Sequence, residues 1–390
     1  MKTKHTLSAA TLIVLAFCLL VNVGSLFADH AGSISDFDSI AIKQKAGGEF
    51  PIMAADGSVI FLYQGTGKEK TVRLTGEFKT ESFYSSNWDK DGVALAPLAE
   101  NSDVFFVKMR IEPTARLEYQ FIVDGERKLD PLNPRKTFNG VVASEVSELV
   151  MPKYPLPDDG DNSEKISKGT IQPLTADWVL APISVYLPAG YSSARSYSVV
   201  YTADGSAWLK YMALAATLDR LIDKKMIEPV IVVMIDPTED RRNWYLFNSE
   251  YLKYLDKIVR FVDGHYSTKA DPKHRLHLGT SAGGRAALYA GFERPDLFLN
   301  LALLSPSLTG SVSYFAPYFS GKKRLKRGLK VWISAGSYEG SLSQDAKTME
   351  KYFKANGVKV RGNYTHEGHS LQAWRYQAPL ALRYFYRASK

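Results

Sequence analysis

Gly279-Thr280-Ser281-Ala282-Gly283-Gly284 follows a short strand-like run, Arg275 to Leu278, and precedes a helix-like run, Arg285 to Phe292. A G-x-S-x-G pattern between a strand and a helix reads as a nucleophile elbow. The serine of such a turn sits on a strained backbone that pushes its Oγ over the sheet edge, and the flanking glycines remove Cβ atoms that would clash. The helix that begins there directs partial positive charge at an oxyanion formed beside Ser281. A glycine-rich turn with an incidental serine has no reason to stand between those two elements.

The pattern around the elbow extends this reading. From residue 170 to 390 apolar strand-like runs (Ile183 to Leu187, Tyr197 to Thr202, Val230 to Ile235, Leu299 to Leu304, Leu329 to Ser334, Val358 to Tyr364) alternate with helix-like ones (Lys210 to Lys225, Glu250 to Val262, Asp345 to Asn356). Alternation of this kind predicts an α/β domain with a mostly parallel sheet, whose chemistry sits at the carboxyl ends of the strands. Residues 153–169 are rich in proline, glycine and acid and lack periodicity, which reads as a linker. Residues 29–152 carry short alternating runs, Val59 to Tyr63, Val72 to Thr75, Val104 to Arg110 and Glu118 to Val123, with turn signals at Gly65-Thr66-Gly67 and Asp124-Gly125. They predict a small all-β, immunoglobulin-like sandwich.

A serine at this elbow needs a base and an orienting acid, which follow it in the order serine, acid, histidine. Only His366 and His369 lie beyond Ser281. His369, in the Gly368-His369-Ser370 turn past the last strand, is favoured, because that turn reaches back over the elbow; Trp374 would wall the imidazole from water. His274 and His277 precede the elbow and read as structural. The acid is Glu339, at the tip of the strand ending Ser334-Ala335-Gly336, or else Asp345, whose charge the dipole of the next helix also explains. The acid would hold one imidazole tautomer and stabilise the imidazolium. Oxyanion donors are expected from the backbone N–H of Ala282 and of Ser206, the latter in the Ala203-Asp204-Gly205-Ser206 loop after another strand. Asp204, Arg241, Arg242, Trp244 and Trp374 are candidates for the substrate cleft.

The 390 residues suffice for two domains with sizeable cores, and 45% hydrophobic with 23% charged residues is ordinary for a globular chain. Lys2 and Lys4, the apolar Thr11 to Val21 and small residues up to Ala28 read as a secretory signal peptide over residues 1–28, too short for a stable membrane span. The single cysteine, Cys18, lies inside it; Phe17 before it and apolar residues after it argue against lipid attachment, so a periplasmic or secreted protein without disulfides is expected. Of the net charge of +8, two units belong to Lys2 and Lys4, leaving about +6. The densest basic run, Lys322, Lys323, Arg324, Lys326 and Arg327, lacks interleaved aromatic residues, and no nucleic-acid motif accompanies it. No nucleic-acid partner, no cofactor and no metal are expected; the sequence leaves the oligomeric state open.

Asp204-Gly205, Gly279 to Gly284, Leu304-Ser305-Pro306-Ser307, Gly336-Ser337-Tyr338-Glu339, and Gly368-His369 with Trp374 together resemble the esterase family that includes enterochelin esterases, esterase D, feruloyl and acetylxylan esterases and related acyltransferases. The resemblance runs from about Thr170 to Phe385. It implies an α/β-hydrolase domain with Ser281, His369 and Glu339 as triad. Residues 47 to 151 resemble the early-set, glycogen-binding-like modules fused to such enzymes, on Leu74 to Phe78, Trp88, Tyr119 to Gly125, Asp130-Pro131 and Asn133-Pro134. Trp88 matches one sugar-stacking tryptophan; Arg127 stands where the second would be, which favours a packing role over glycan binding. An exported serine carboxylic-ester hydrolase follows, with a siderophore ester as the leading substrate and feruloyl or acetyl esters of plant polysaccharide close behind. An acyltransferase and a non-catalytic carbohydrate-binding protein are the other readings.

Overall fold

The structure is a computed structural model that describes residues 50–78, 88–100, 102–155, 166–308, 310–321 and 325–388. The signal segment, Cys18, His30, most of the linker, and Lys322, Lys323 and Arg324 lie outside the described residues. The chain divides into two compact units, the smaller comprising residues up to Thr75, Lys90–Ile111 and Gln120–Arg135, the larger Gly76–Asp89, Glu112–Tyr119 and Lys136–Lys390.

The smaller unit is all-β. Strands β1 (Ile52–Met53), β2 (Val59–Gln64), β5 (Ala96–Pro97) and β6 (Val104–Met109) form an antiparallel sheet in the order β1-β2-β6-β5. Phe50, Ile52, Ile60, Leu62, Val104 and Phe106 form its core. Between them in sequence, β3 (Val72–Gly76) pairs with β4 (Val93–Ala94). Strand β7 (Ala115–Val123) turns back into β8 (Glu126–Lys128) through Asp124 and Gly125. Both turn residues have positive φ, 49° and 91°, the requirement of a two-residue type I′ hairpin that an Asp-Gly pair meets.

The larger unit is a doubly wound α/β sheet. Strands β9 (Lys136–Asn139) and β10 (Ser144–Val150) belong to it, followed by β11 (Thr170–Pro173), β12 (Ile183–Leu187), β13 (Ser198–Ala203), β14 (Val230–Ile235), β15 (Arg275–Thr280), β16 (Asn300–Leu304), β17 (Lys330–Gly336) and β18 (Lys359–Glu367). The order is β11-β12-β14-β13-β15-β16-β17-β18, parallel from β14 to β18, with β11 and β12 antiparallel at one edge. Beyond β18 the sheet continues through the first half of β7, joined at His366↔Ala115 and Glu367↔Arg116, and then β10 and β9.

Strand residues alternate between two apolar layers, as a period of two requires. Val199, Tyr201, Ile231, Val233, Leu301, Leu303, Val331 and Ile333 face one core; Val200, Val230, Val232, Leu276, Leu278, Ala302, Leu304 and Trp332 face the other. Helices cover both. Gly205–Lys210 (α1), Leu214–Asp223 (α2) and Leu371–Tyr386 (α8) contribute to the second core. Ser249–His265 (α4), Ser281–Glu293 (α5), Val312–Phe319 (α6) and Ser341–Ala355 (α7) pack on the first, and the single turn Arg241–Trp244 (α3) precedes α4. The uninterrupted run Val-Ile-Val-Val-Met-Ile of β14 is thereby explained, since all six residues are buried.

One predicted helix is split. Lys210 to Lys225 breaks at Tyr211 to Ala213, and Ala213 takes a left-handed φ of 46° before α2 begins. Trp88, which a sugar platform would expose, is only 8% exposed.

Candidate active site

The elbow forms at the end of β15, where the chain turns directly into α5. Ser281 has φ of 52°, a left-handed conformation that side chains other than glycine adopt at a cost of about 1–3 kcal/mol. The surrounding glycines are sterically required. A Cβ on Gly279 would lie 2.2 Å from the Gly283 carbonyl oxygen, and one on Gly283 would lie 2.8 Å from the Ala203 Cβ. The tight turn and the close approach of α5 to β13 both exclude larger residues.

Loops from three other strand ends meet Ser281. The loop after β18 brings His369, 5% exposed, so that its Nε2 stands 2.9 Å from Ser281 Oγ. A single 3-10 turn after β17, Ser337–Glu339, brings the fully buried Glu339, whose Oε2 accepts from His369 Nδ1 at 3.3 Å. A carboxylate there makes Nδ1 the protonated nitrogen and leaves Nε2 as acceptor for the serine hydroxyl. Glu339 is itself fixed: its Oε1 accepts from Ser305 Oγ at 2.6 Å and from Gly336 N–H at 3.1 Å.

Ser305 follows β16, has a positive φ of 46°, and accepts from Trp374 Nε1 at 3.0 Å. Trp374 in turn packs edge-on against the His369 ring, centroids 4.8 Å apart. Sequence reasoning noticed the Leu304-Ser305-Pro306-Ser307 stretch but gave Ser305 no role. The signal was its place directly after a strand of the parallel sheet.

Of the alternatives, His366 lies on β18 with Nδ1 2.6 Å from Thr114 Oγ1, and Asp345 lies half-buried within α7. His277 is fully buried in β15, between the Tyr251 hydroxyl at Nε2 (2.8 Å) and the Tyr201 carbonyl at Nδ1 (3.2 Å). Its burial lowers its pKa to about 4, so it is neutral.

A cleft of about 450 Å³ opens over Ser281 and His369. Val141, Met212, Leu371 and Trp374 form its apolar wall, while Asp204, Ser206, Asp236 and Arg241 form the polar one. Arg241 forks onto Asp204, Nε to Oδ1 at 2.6 Å and Nη2 to Oδ2 at 2.8 Å. Two expected cleft residues are placed elsewhere. Trp244 points into the core against Tyr251 and Tyr254, and Arg242, although exposed, does not line the cleft; the turn of α3 presents Arg241 instead. Ala282 lies in the first turn of α5, where backbone N–H groups have no intrahelical acceptor. The Ser206 N–H is engaged, donating to Asp236 Oδ1 at 2.7 Å, and its hydroxyl donates to Asp236 Oδ2.

Residues 181–383, just over half of the chain, match the family described as "Putative esterase". The chain belongs to that family. It is a carboxylic-ester hydrolase with the α/β-hydrolase fold. Over 333 residues it is 24% identical to the iron(III) enterobactin esterase of Escherichia coli K12, covering 75% of this chain and 74% of that one. It is 26% identical over 129 residues to the YjcH protein of Bacillus subtilis, covering 31% of this chain and only about half, 54%, of that relative's length. The ferric enterobactin esterase of Salmonella typhimurium superposes with a TM-score of 0.73 at 19% identity, over 89% of this chain and 98% of that one.

Proposed function

We propose that this chain is an exported serine esterase working through Ser281, His369 and Glu339, and that its substrate is a siderophore ester of the enterobactin type. The observation that carries the mechanism is the 2.9 Å approach of His369 Nε2 to Ser281 Oγ in an open cleft, with Glu339 behind the imidazole.

Ser281 Oγ attacks the ester carbonyl as its proton passes to His369 Nε2, and the carbonyl π pair moves to oxygen as an oxyanion. Collapse of the tetrahedral intermediate breaks the bond to the alkoxy oxygen, which takes the proton from His369 and leaves as the alcohol. Water, deprotonated by His369, then attacks the acyl-serine; the bond to Ser281 Oγ breaks, His369 returns the proton to that oxygen, and the acid is released. Glu339 stabilises the imidazolium in both halves. The Ala282 N–H supports the oxyanion, and the Ser206 N–H joins it once the substrate carbonyl displaces Asp236. Such a donor contributes about 3 kcal/mol to the transition state.

The substrate class rests on the similarity to the enterobactin esterase and on a cleft that pairs an apolar wall with hydrogen-bonding groups. Export rests on the basic and apolar N-terminal segment. The test is turnover of enterobactin against a feruloyl ester and a short aryl ester, with and without an alcohol acceptor, by wild type and Ser281→Ala. Preferred hydrolysis of enterobactin by wild type and a loss of about a millionfold in the variant are expected. A higher kcat/KM on the feruloyl ester, or transfer outrunning hydrolysis, overturns the substrate assignment; an active Ser281→Ala overturns the nucleophile.

A further inference from the structure

Two buried side chains not used above flank His369 through its neighbours in the chain. Gly368 precedes it, and an added Cβ there would lie 2.1 Å from the Glu77 carboxyl carbon and 2.4 Å from Glu77 Oε2. Glu77 is 1% exposed and doubly tied to the backbone of β7: its N–H donates to the Glu118 carbonyl at 3.0 Å, and its Oε2 accepts from the Glu118 N–H at 3.1 Å. Its Oε1 has no hydrogen-bond partner among the described residues. Burial and then the adjacent Glu118 push the Glu77 carboxyl well above the usual range, with Arg116 opposing.

Ser370 follows His369, and its Oγ accepts from Arg116 Nη1 at 3.3 Å while capping α8 through the Ala373 N–H at 3.2 Å. Arg116 is fully buried and is anchored by Glu148 Oε1 at 2.5 Å and Glu118 Oε1 at 3.1 Å. Glu118 is held in turn by Asn139 Nδ2 at 2.6 Å.

We propose that Glu77 is a positioning residue for His369: its carboxyl fills the space under Gly368, with Arg116 bracing the other side through Ser370, and so sets where the imidazole meets Ser281. A methyl group at 368 would therefore have to drive the Glu77 carboxyl off the Glu118 N–H that holds it. Segments more than 200 residues ahead of the elbow, as Glu77 and Ser281 show by their numbers, thereby take part in catalysis without touching substrate. The inference rests on His369 being the base.

The test is steady-state hydrolysis of a short aryl ester by the full chain. Glu77→Ala is expected to lower kcat on the order of 100-fold, the penalty of a catalytic group displaced by about 1 Å, with little change in KM. Glu77→Gln, which keeps the shape and an acceptor for the Glu118 N–H, is expected to restore most of kcat. Gly368→Ala is expected to fail like Glu77→Ala, and the double variant to outperform Gly368→Ala alone, because the methyl group enters the vacated space. Wild-type kcat in Glu77→Ala, Glu77→Gln as poor as Glu77→Ala, or a double variant no better than Gly368→Ala overturns the proposal. If Glu77→Ala does not fold, kcat of Gly368→Ala relative to wild type decides, an unchanged value overturning it. His369→Ala is measured alongside: if it is active, the triad reading is what fails, and if it is dead while Glu77→Ala is normal, only the positioning role fails.

Discussion

His369 and His277 are both buried and both hydrogen-bonded at each ring nitrogen, yet their partners differ in kind. His277 donates from Nδ1 to the Tyr201 carbonyl and accepts at Nε2 from the Tyr251 hydroxyl. Neither partner carries a charge, and burial makes its protonation costly. His369 donates from Nδ1 to a carboxylate and faces a hydroxyl across an open cleft. Burial alone therefore does not make a base. In a Ser-His-acid triad the base needs an anion on one side and the nucleophile on the other, which is the role proposed for His369.

The largest effect that sharpens this contrast is loss of the imidazole itself. His369→Ala is expected to lower kcat by about a millionfold, as loss of the nucleophile does, whereas His366→Ala, which removes the hydrogen bond from β18 to Thr114, should leave most turnover intact. Burst kinetics with a chromogenic ester read both, and an inactive His366→Ala with an active His369→Ala would reverse the assignment.

Next is the charge behind the ring. In Glu339→Gln the amide oxygen must face the Ser305 hydroxyl and the Gly336 N–H, which both donate to that position, so the NH₂ faces His369 Nδ1. That orientation enforces the tautomer protonated at Nε2, which cannot accept the serine proton. A fall of about ten-thousandfold in kcat, with Tm near wild type, is expected. Activity within tenfold of wild type, about 1.4 kcal/mol, would show that the carboxylate is dispensable.

The smallest effect concerns stability alone. His277 titrates at about 4 in the fold against about 6.5 unfolded, so it contributes stability above pH 6.5 that is lost as the pH falls toward 4. Urea unfolding at about pH 7.5 and about pH 4.5 should show His277→Leu losing roughly 2–3 kcal/mol less than wild type between the two conditions. Equal losses in both proteins would remove His277 from the acid sensitivity.

Much of the site was legible because its parts sit at strand ends in a doubly wound sheet. Ser281, Glu339 and His369 each follow a strand whose apolar run is plain in the sequence. Side chains inside elements were harder to place. Trp244 lies on a four-residue helical turn, and which of Arg241, Arg242 and Trp244 faces the cleft depends on how that turn is rotated. Ser206 sits where a donor was expected, but its N–H is taken by Asp236, 30 residues later and after a different strand.

The sequence by itself determined the strand–serine–helix elbow, the chain order of the proposed catalytic groups and the division into all-β and α/β patterns, because these depend on local backbone preferences and on periods of two and 3.6 residues. Only the tertiary structure decided that Lys136 to Val150 lies in the larger unit, that Ser305 braces Glu339, and that Glu77 lies beneath Gly368. Each of those contacts joins segments far apart in the chain, and side-chain type records no address for a distant partner. The hydrogen bonds from Ser305 to Glu339 and from His369 to Glu339, formed once the sheet had closed, are what orient the His369 imidazole.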